Sequence, residues 1–306
     1  MISAISGILK NINRHNKILD IILWHTHESF ATNLCKTDHN FYAMTSPERK
    51  MWDFSYRKMP DNYKHTTDIN TIGIIPDLVI SQSVGQMGAA ANIAQKINIH
   101  LIHIEHTTPD GTSMMNHLDK IRQQNTADKT VFITEYNRDI WGYKDDSNAV
   151  VINHGIDTDL FSGYVGDRDY ILAIVNDYRN REGPLHFSLF ESLLKELPTV
   201  KFRLRGNSNE NLIGLYPNLE IVKSTCVEDL IEDLRHCRCF VNTSRFSPVP
   251  MSLLESMSVG CPIVSTNNCG IVDFLTKTNG AWCKTKEDFC NWISSMMIDR
   301  EISLNI

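Results

Sequence analysis

The chain has 306 residues, 42% of them hydrophobic and 22% charged, enough apolar material for two domains of ordinary size and too much for a disordered chain. A formal net charge of -6 and a pI of about 6.0 argue against a protein that coats nucleic acid through bulk charge, though a local basic patch stays open. Mean hydropathy is -0.24, and every apolar run stops well short of the roughly 20 residues that span a bilayer.

The chain opens with Ile2, Ile5, Ile8, Leu9 and Ile12 on one helical face and Lys10, Arg14 and Lys17 nearby. This is an amphipathic stretch rather than the continuous apolar core of a secretory leader; it either makes peripheral contact with a membrane or packs on the first domain. Apolar runs then predict strands over 18–24, 40–44, 78–81, 100–106, 130–134 and 149–153, with helices over 88–96 and 112–124 between them. After an Asp- and Gly-rich loop over 156–168 the rhythm restarts. Strands are predicted over 170–176, 201–205, 219–223, 239–243 and 262–265, and helices over 184–197, 227–237, 251–258 and 286–298. Strands alternating with helices imply parallel α/β architecture. The expected division is into Rossmann-like βα domains over 1–160 and 161–306. Tandem domains of this kind present ligand sites at the carboxyl ends of their strands, facing each other across a cleft.

Several chemistries are excluded or reduced. Neither half carries GxGxxG after its first strand, and no GxxxxGK[ST] occurs, so a dinucleotide dehydrogenase and a P-loop are not indicated. The eight cysteines, at 35, 226, 237, 239, 261, 269, 283 and 290, form no CxxC pair and read as reduced thiols of a cytoplasmic protein. Asp157-Thr158-Asp159 and Asp167-Arg168-Asp169 spell DxD but lie in the interdomain loop and read as turn residues. His100, His103, Glu105 and His106 alternate across a strand, so they do not converge on one metal.

The most informative segment is 244–270, SRFSPVPMSLLESMSVGCPIVSTNNCG. A strand ends in a loop, and a helix starts at Met251, Ser252 and Leu253. The free amides and dipole of that first turn suit a phosphate. Glu255 is close enough for its carboxylate to accept ribose hydroxyls or, equally, to serve as a cap. The segment resembles the donor-site signature of retaining GT-B glycosyltransferases of family 4, a loop E-P-F-G followed by L-L-E-A-M and x-G-x-P-V-V. Pro248, Leu253, Leu254, Glu255, Met257, Gly260, Pro262, Ile263 and Val264 match, while Ser247 stands for the family's first glutamate and Pro250 for its glycine.

Further segments carry the same resemblance. VINHGIDTDLF is similar to the interdomain V-I-P-N-G-V-D-x-x-x-F, with Gly155, Asp157 and Phe161 in place. IPDLVISQS and INIHLIHIEHTTP resemble two strands of the first domain, the second ending at His106. FRLRGN resembles the strand and loop l-x-i-v-G-x-G, so Gly206 and Asn207 join the donor-side set. The likeness runs from about 77 to 280. It implies a metal-independent retaining hexosyl- or pentosyltransferase with no cofactor beyond a nucleoside-diphosphate sugar, most often a UDP-sugar. The first domain would bind the acceptor and the second the donor. Glu255 would hold the ribose, with Ser247, Pro248, Met251, Ser252 and Leu253 around the donor, and His106 would touch the sugar. The family's diphosphate arginine falls on Arg179 or Arg181; the register leaves both open, and a cationic clamp is what a departing diphosphate requires where no metal is bound.

On the acceptor side, His25, His27 and Glu28 follow the first strand where the family has a glycine pair. They could supply a base or form a plain polar loop. The segment RKMWDFSYRKMPDNYKH interleaves Arg49, Lys50, Trp52, Arg57 and Lys58 with aromatic residues, a pattern that could track a phosphate backbone and stack on a flipped base, diluted by Asp53 and Asp61. The short chain and abbreviated SPVPMSLLE loop look most like phage-encoded members of the family. A hydroxymethylated base of phage DNA is therefore the expected acceptor, with a lipid or surface glycan, or a non-catalytic sugar-nucleotide-binding protein, as alternatives. The site of action would be the cytoplasm, the host's if phage-encoded; the oligomeric state is open.

Overall fold

The computed structural model describes residues 17–45, 51–109, 115–267, 270–275 and 280–299. The amphipathic stretch before Lys17, and Arg49 and Lys50, fall outside them. The chain divides into two compact units, Met1–Gly155 and Ile156–Ile306.

The first unit is built on a seven-stranded sheet: β1 Asp20–Trp24, β2 Asn40–Met44, β3 Tyr63–Thr66, β4 Leu78–Ser81, β5 His100–Glu105, β6 Lys129–Phe132 and β7 Ala149–Val151. All are parallel, in the order β3-β2-β1-β4-β5-β6-β7. Continuous apolar runs such as Ile21, Ile22 and Leu23 follow from a sheet covered on both faces. The covering helices among the described residues are α1 Glu28–Cys35, α2 Val84–Ile97, α3 Leu118–Gln124 and α4 Glu135–Ile140. Helix α2 buries Ala90 and Ala94 against Ile22, Val79 and Leu101; it ends at Asn98, whose positive φ of 55° terminates it in the left-handed conformation.

The second unit holds β8 Ile171–Ile174, β9 Phe202–Arg205, β10 Leu219–Val222, β11 Cys239–Asn242, β12 Ile263–Thr266 and β13 Gly280–Cys283, parallel in the order β10-β9-β8-β11-β12-β13. Its helices are α5 Glu182–Leu185, α6 Phe187–Glu196, α7 Val227–His236, α8 Met251–Val259 and α9 Lys286–Ile298. Helices α6 and α9 bury Phe190, Leu193, Ile293 and Met296 against Phe202 and Leu204. Thr285 and Asp288 close a capping box at the start of α9.

Three differences from the sequence pattern have physical causes. The predicted helix over 184–197 is broken at His186, which takes a positive φ of 58° between α5 and α6. Strand β3 falls inside the segment expected to be a loop to residue 65, because Tyr63 pairs with Phe41 on the neighbouring strand. Helix α1 begins where a polar loop was one reading, with the Nδ1 of His27 accepting the Phe30 amide as its cap. The cysteines that the structure describes are all free, and among the described residues no helix is long and apolar enough to cross a membrane.

Candidate functional site

Open parallel sheets bind ligands where the strand order reverses. In the first unit this point lies between β1 and β4, and the loops leaving β1, β4 and β5 are joined there by one buried residue the sequence did not single out. Gln82 donates through Nε2 to the Trp24 carbonyl at 2.8 Å. Its Oε1 accepts from Thr26 Oγ1 at 3.0 Å and meets His106 Nε2 at 3.1 Å. Phe30 stands edge-on to the His106 ring at 4.4 Å, and the His154 ring stacks on it at 5.6 Å. Burial, then the charges that His154, His27 and His103 would carry, holds the His106 pKa well below that of an ordinary histidine, so the ring is neutral. His103 and Glu105 point to the other side of β5, where His103 bridges Ser81 Oγ at 2.8 Å and Glu105 at 3.3 Å.

His25 and Glu28 lie in the same unit but are largely taken up in its packing. His25 is within 2.9 Å of the Tyr63 hydroxyl and 3.3 Å of Glu28 Oε1, and that same carboxylate oxygen accepts the Asp53 amide at 3.0 Å. Trp52 is 3% exposed, packs at a tilt beside His25 and Tyr63, and donates through its indole to the Arg57 carbonyl. Arg57 is 5% exposed, its guanidinium over Tyr56. The expectation that Trp52 and Arg57 present an exposed face to DNA is therefore corrected: both side chains are buried, Trp52 against Tyr63 of β3 and Arg57 over Tyr56. Of the residues proposed for DNA that the structure describes, Lys58 is exposed.

In the second unit the reversal lies between β8 and β11. The loop after β8 contains Arg179 and Arg181 in one 3-10 turn, both exposed. It is stitched to the loop after β9: Asn207 N donates to Asn176 Oδ1 at 2.8 Å, Asp177 N to Asn207 O at 2.9 Å, and Tyr178 N to Asn209 Oδ1 at 2.9 Å. Gly206 N donates to Val222 O. The amides of Gly206 and Asn207 are thus taken up inside the unit, so these residues shape the loop rather than offer N–H groups to a phosphate. A Cβ on Gly206 would lie 2.0 Å from the Val175 carbonyl oxygen, which is why only glycine fits there. The buried Tyr178 hydroxyl donates to Thr243 Oγ1, whose own proton goes to Leu185 O at 2.8 Å. The loops after β8, β9 and β11 are held as one edge.

Beyond β11 the chain passes Ser247 and the buried Pro248 and enters α8, whose N-cap is Pro250 and whose first turn has no side-chain cap. Leu253 N donates back to Pro250 O at 3.1 Å, so of the three amides expected for a phosphate, Met251 and Ser252 are the two at the open end. Glu255 follows one turn in, 2% exposed. Arg245 was not singled out by sequence reasoning; its amide donates to Pro184 O at 2.8 Å and its guanidinium lies 3.7 Å from Glu182, placing a cation on the same edge. Among the described residues no group of three or more His, Cys, Asp or Glu side chains is arranged to hold a metal ion. Asp167 and Asp169 of one DxD string are engaged with His236 and Arg238.

Two parallel Rossmann-like sheets, each with a strand-order reversal, define the GT-B fold. Residues 171–299 match the family model described as glycosyl transferases group 1, a stretch that contains β8 to β13, Arg179, Arg181 and Glu255. An N,N'-diacetylbacillosaminyl-diphospho-undecaprenol alpha-1,3-N-acetylgalactosaminyltransferase of Campylobacter jejuni is 28% identical over 149 residues, which cover 46% of this chain. The match spans only 39% of that relative's length. Anabaena HepE, solved with UDP and glucose, shares the fold at a TM-score of 0.70 and 12% identity, over 94% of this chain and 92% of that one. A lipopolysaccharide outer core galactosyltransferase, WaaB, does so at 0.58 and 13%, over 92% and 90%.

Proposed function

We propose that this protein is a glycosyltransferase that takes a hexose or pentose from a UDP-linked donor and transfers it, with retention of configuration, to a hydroxyl of a lipid-linked or surface glycan. The observation that carries this reading is the edge of the second unit: an uncapped helix N-terminus with a buried carboxylate one turn inside it, on the loop beside the Arg179–Arg181 turn. Glu255 accepts from the ribose hydroxyls. The Met251 and Ser252 amides, with Arg181 or Arg179, stabilise the charge that grows on the departing diphosphate, so the chain itself meets that charge without a resident metal. His106 is the group of the first unit assigned to the transferred sugar; the acceptor hydroxyl attacks the face the diphosphate leaves, bonding the anomeric carbon as its bond to the diphosphate breaks and passing its proton to the departing phosphate oxygen.

The glycan acceptor is favoured over a phage DNA base by two observations. The segment that suggested DNA buries its tryptophan and Arg57. Among the proteins it resembles, one acts on a lipid-linked saccharide and one on lipopolysaccharide. A non-catalytic sugar-nucleotide-binding protein is the contrasting reading, suggested by Ser247 in place of the family glutamate; release of UDP from a UDP-sugar counts against it.

Calorimetry with UDP tests the donor site. The wild type should bind, and Glu255→Ala should bind about 10- to 100-fold more weakly, the loss expected for charge-assisted hydrogen bonds to the ribose. Equal affinity in a folded variant rejects the assignment of Glu255.

A further inference from the structure

The hydrogen bonds around Gln82 determine more than the shape of its loop. An amide has a donating and an accepting end, and here each end has its partner. Nε2 faces the Trp24 carbonyl, which can only accept, and Thr26 Oγ1 donates to Oε1. Rotating the amide by half a turn would set Oε1 against the Trp24 carbonyl oxygen, so this orientation is fixed by the backbone of β1. The atom presented to His106 Nε2 at 3.1 Å is therefore an oxygen that can only accept, and Nε2 must carry the hydrogen. In the neutral ring this leaves Nδ1 as a bare lone pair. That Nδ1 is buried, with no hydrogen-bond partner in the structure. Phe30 edge-on and His154 stacked face to face clamp the ring, so it cannot turn to exchange its two nitrogens without displacing both neighbours.

We propose that Gln82 is a positioning residue that selects the Nε2–H tautomer of His106, so that the ring offers Nδ1 as a hydrogen-bond acceptor to a ligand hydroxyl at the strand-order reversal of the first unit. The hydroxyl role rests on the glycosyltransferase reading; the tautomer does not. In this arrangement His106 does not donate a proton to the leaving group. The cation would carry a hydrogen on both nitrogens and lose the lone pair, so the reaction needs the ring uncharged. The titratable groups around it are His27 at the start of α1 and His154 beyond β7, with His103 acting from the other side of β5, and each opposes its protonation. A glutamine serves here where a glutamate would not, because a carboxylate against Nε2 would favour the cation.

The test begins with nitrogen chemical shifts of the His106 ring in isotopically labelled wild-type protein near neutral pH, assigned by comparison with His106→Gln. This needs neither substrate nor turnover, so its outcome is separate from that of the donor reading, which UDP calorimetry reports. The expected result is a protonated Nε2 and a bare Nδ1. A proton on Nδ1, alone or together with Nε2, would overturn the proposal. Two variants then address Gln82. Gln82→Met should let the second tautomer into the population; unchanged ring nitrogens in a folded variant mean that Gln82 does not select it. Gln82→Glu loses the donor to the Trp24 carbonyl, as Gln82→Met does, but keeps an acceptor against Nε2; beyond the loss the two variants share, it should convert the ring to the cation near neutral pH and lower kcat/KM by up to about 100-fold. Turnover should recover as pH is raised and the ring loses its extra proton. A flat loss across pH would show a merely structural role and refute the acceptor function.

Discussion

The imidazoles of His106 and His154 lie face to face, 5.6 Å between centroids and 11° from parallel, one at the end of β5 and the other just beyond β7. Two stacked imidazoles repel each other when both are charged. Burial and then His27 hold the pKa of His154 down at about 4, and His106 is shifted in the same direction.

This pair gives the protein an acid-sensitive element with a definite sign. An unfolded histidine takes up its proton near pH 6.5, whereas His154 in the fold resists until about 4. Between those values the unfolded chain binds more protons, so stability falls as pH is lowered through that window and is complete above it. For His154 alone the loss is about 3 kcal/mol at most, less for the part of the ring that stays solvated. Chemical denaturation from pH 7 to 4 should show this decline, and His154→Gln should flatten it. An unchanged slope in the variant would show that His154 is not part of the acid-sensitive element.

Gly206 sets up a second expectation. Its φ of 154° and the 2.0 Å that would separate an added methyl from the Val175 carbonyl oxygen mean that alanine cannot be accommodated without pulling the loop after β9 away from the loop after β8. Because the Asn207–Asn176 and Tyr178–Asn209 bonds cross the same seam, Gly206→Ala should cost upward of about 2 kcal/mol and weaken UDP binding along with it. A variant with wild-type melting and wild-type UDP affinity would contradict this account of the edge.

The segment 51–66 separates packing from surface chemistry. Trp52→Ala removes a fully packed indole from beside His25 and Tyr63 and should destabilise the protein by about 3–5 kcal/mol. Lys58→Glu, at an exposed position, should leave thermal stability within about 0.5 kcal/mol of wild type. Lys58 is thus the informative variant for any DNA contact, because Arg57→Glu would bury a carboxylate and disturb the fold itself. If Lys58→Glu abolished transfer to hydroxymethylated DNA while sparing UDP release, the glycan acceptor would have to give way to the DNA base.

The sequence by itself determined the two-part parallel α/β plan and most of its strands, because a sheet covered on both faces demands short continuous apolar runs, and those are visible in one dimension. Glu255 and the start of α8 were legible for a similar reason: strand, loop, helix and carboxylate follow one another within about fifteen residues, and local order fixes their geometry. Strand β3 was hidden because its residues are half polar and only the pairing of Tyr63 with Phe41 makes them a strand. Gln82 was hidden because it follows β4 while its partners lie at the ends of other strands, Trp24 and Thr26 at β1 and His106 after β5, and only the parallel register brings those ends together. Tertiary structure also decided which side chains were surface and which were core. Trp52 and Arg57 look like a nucleic-acid patch along the chain, yet desolvating the indole and satisfying its N–H inside the unit is the more favourable use of the same residues.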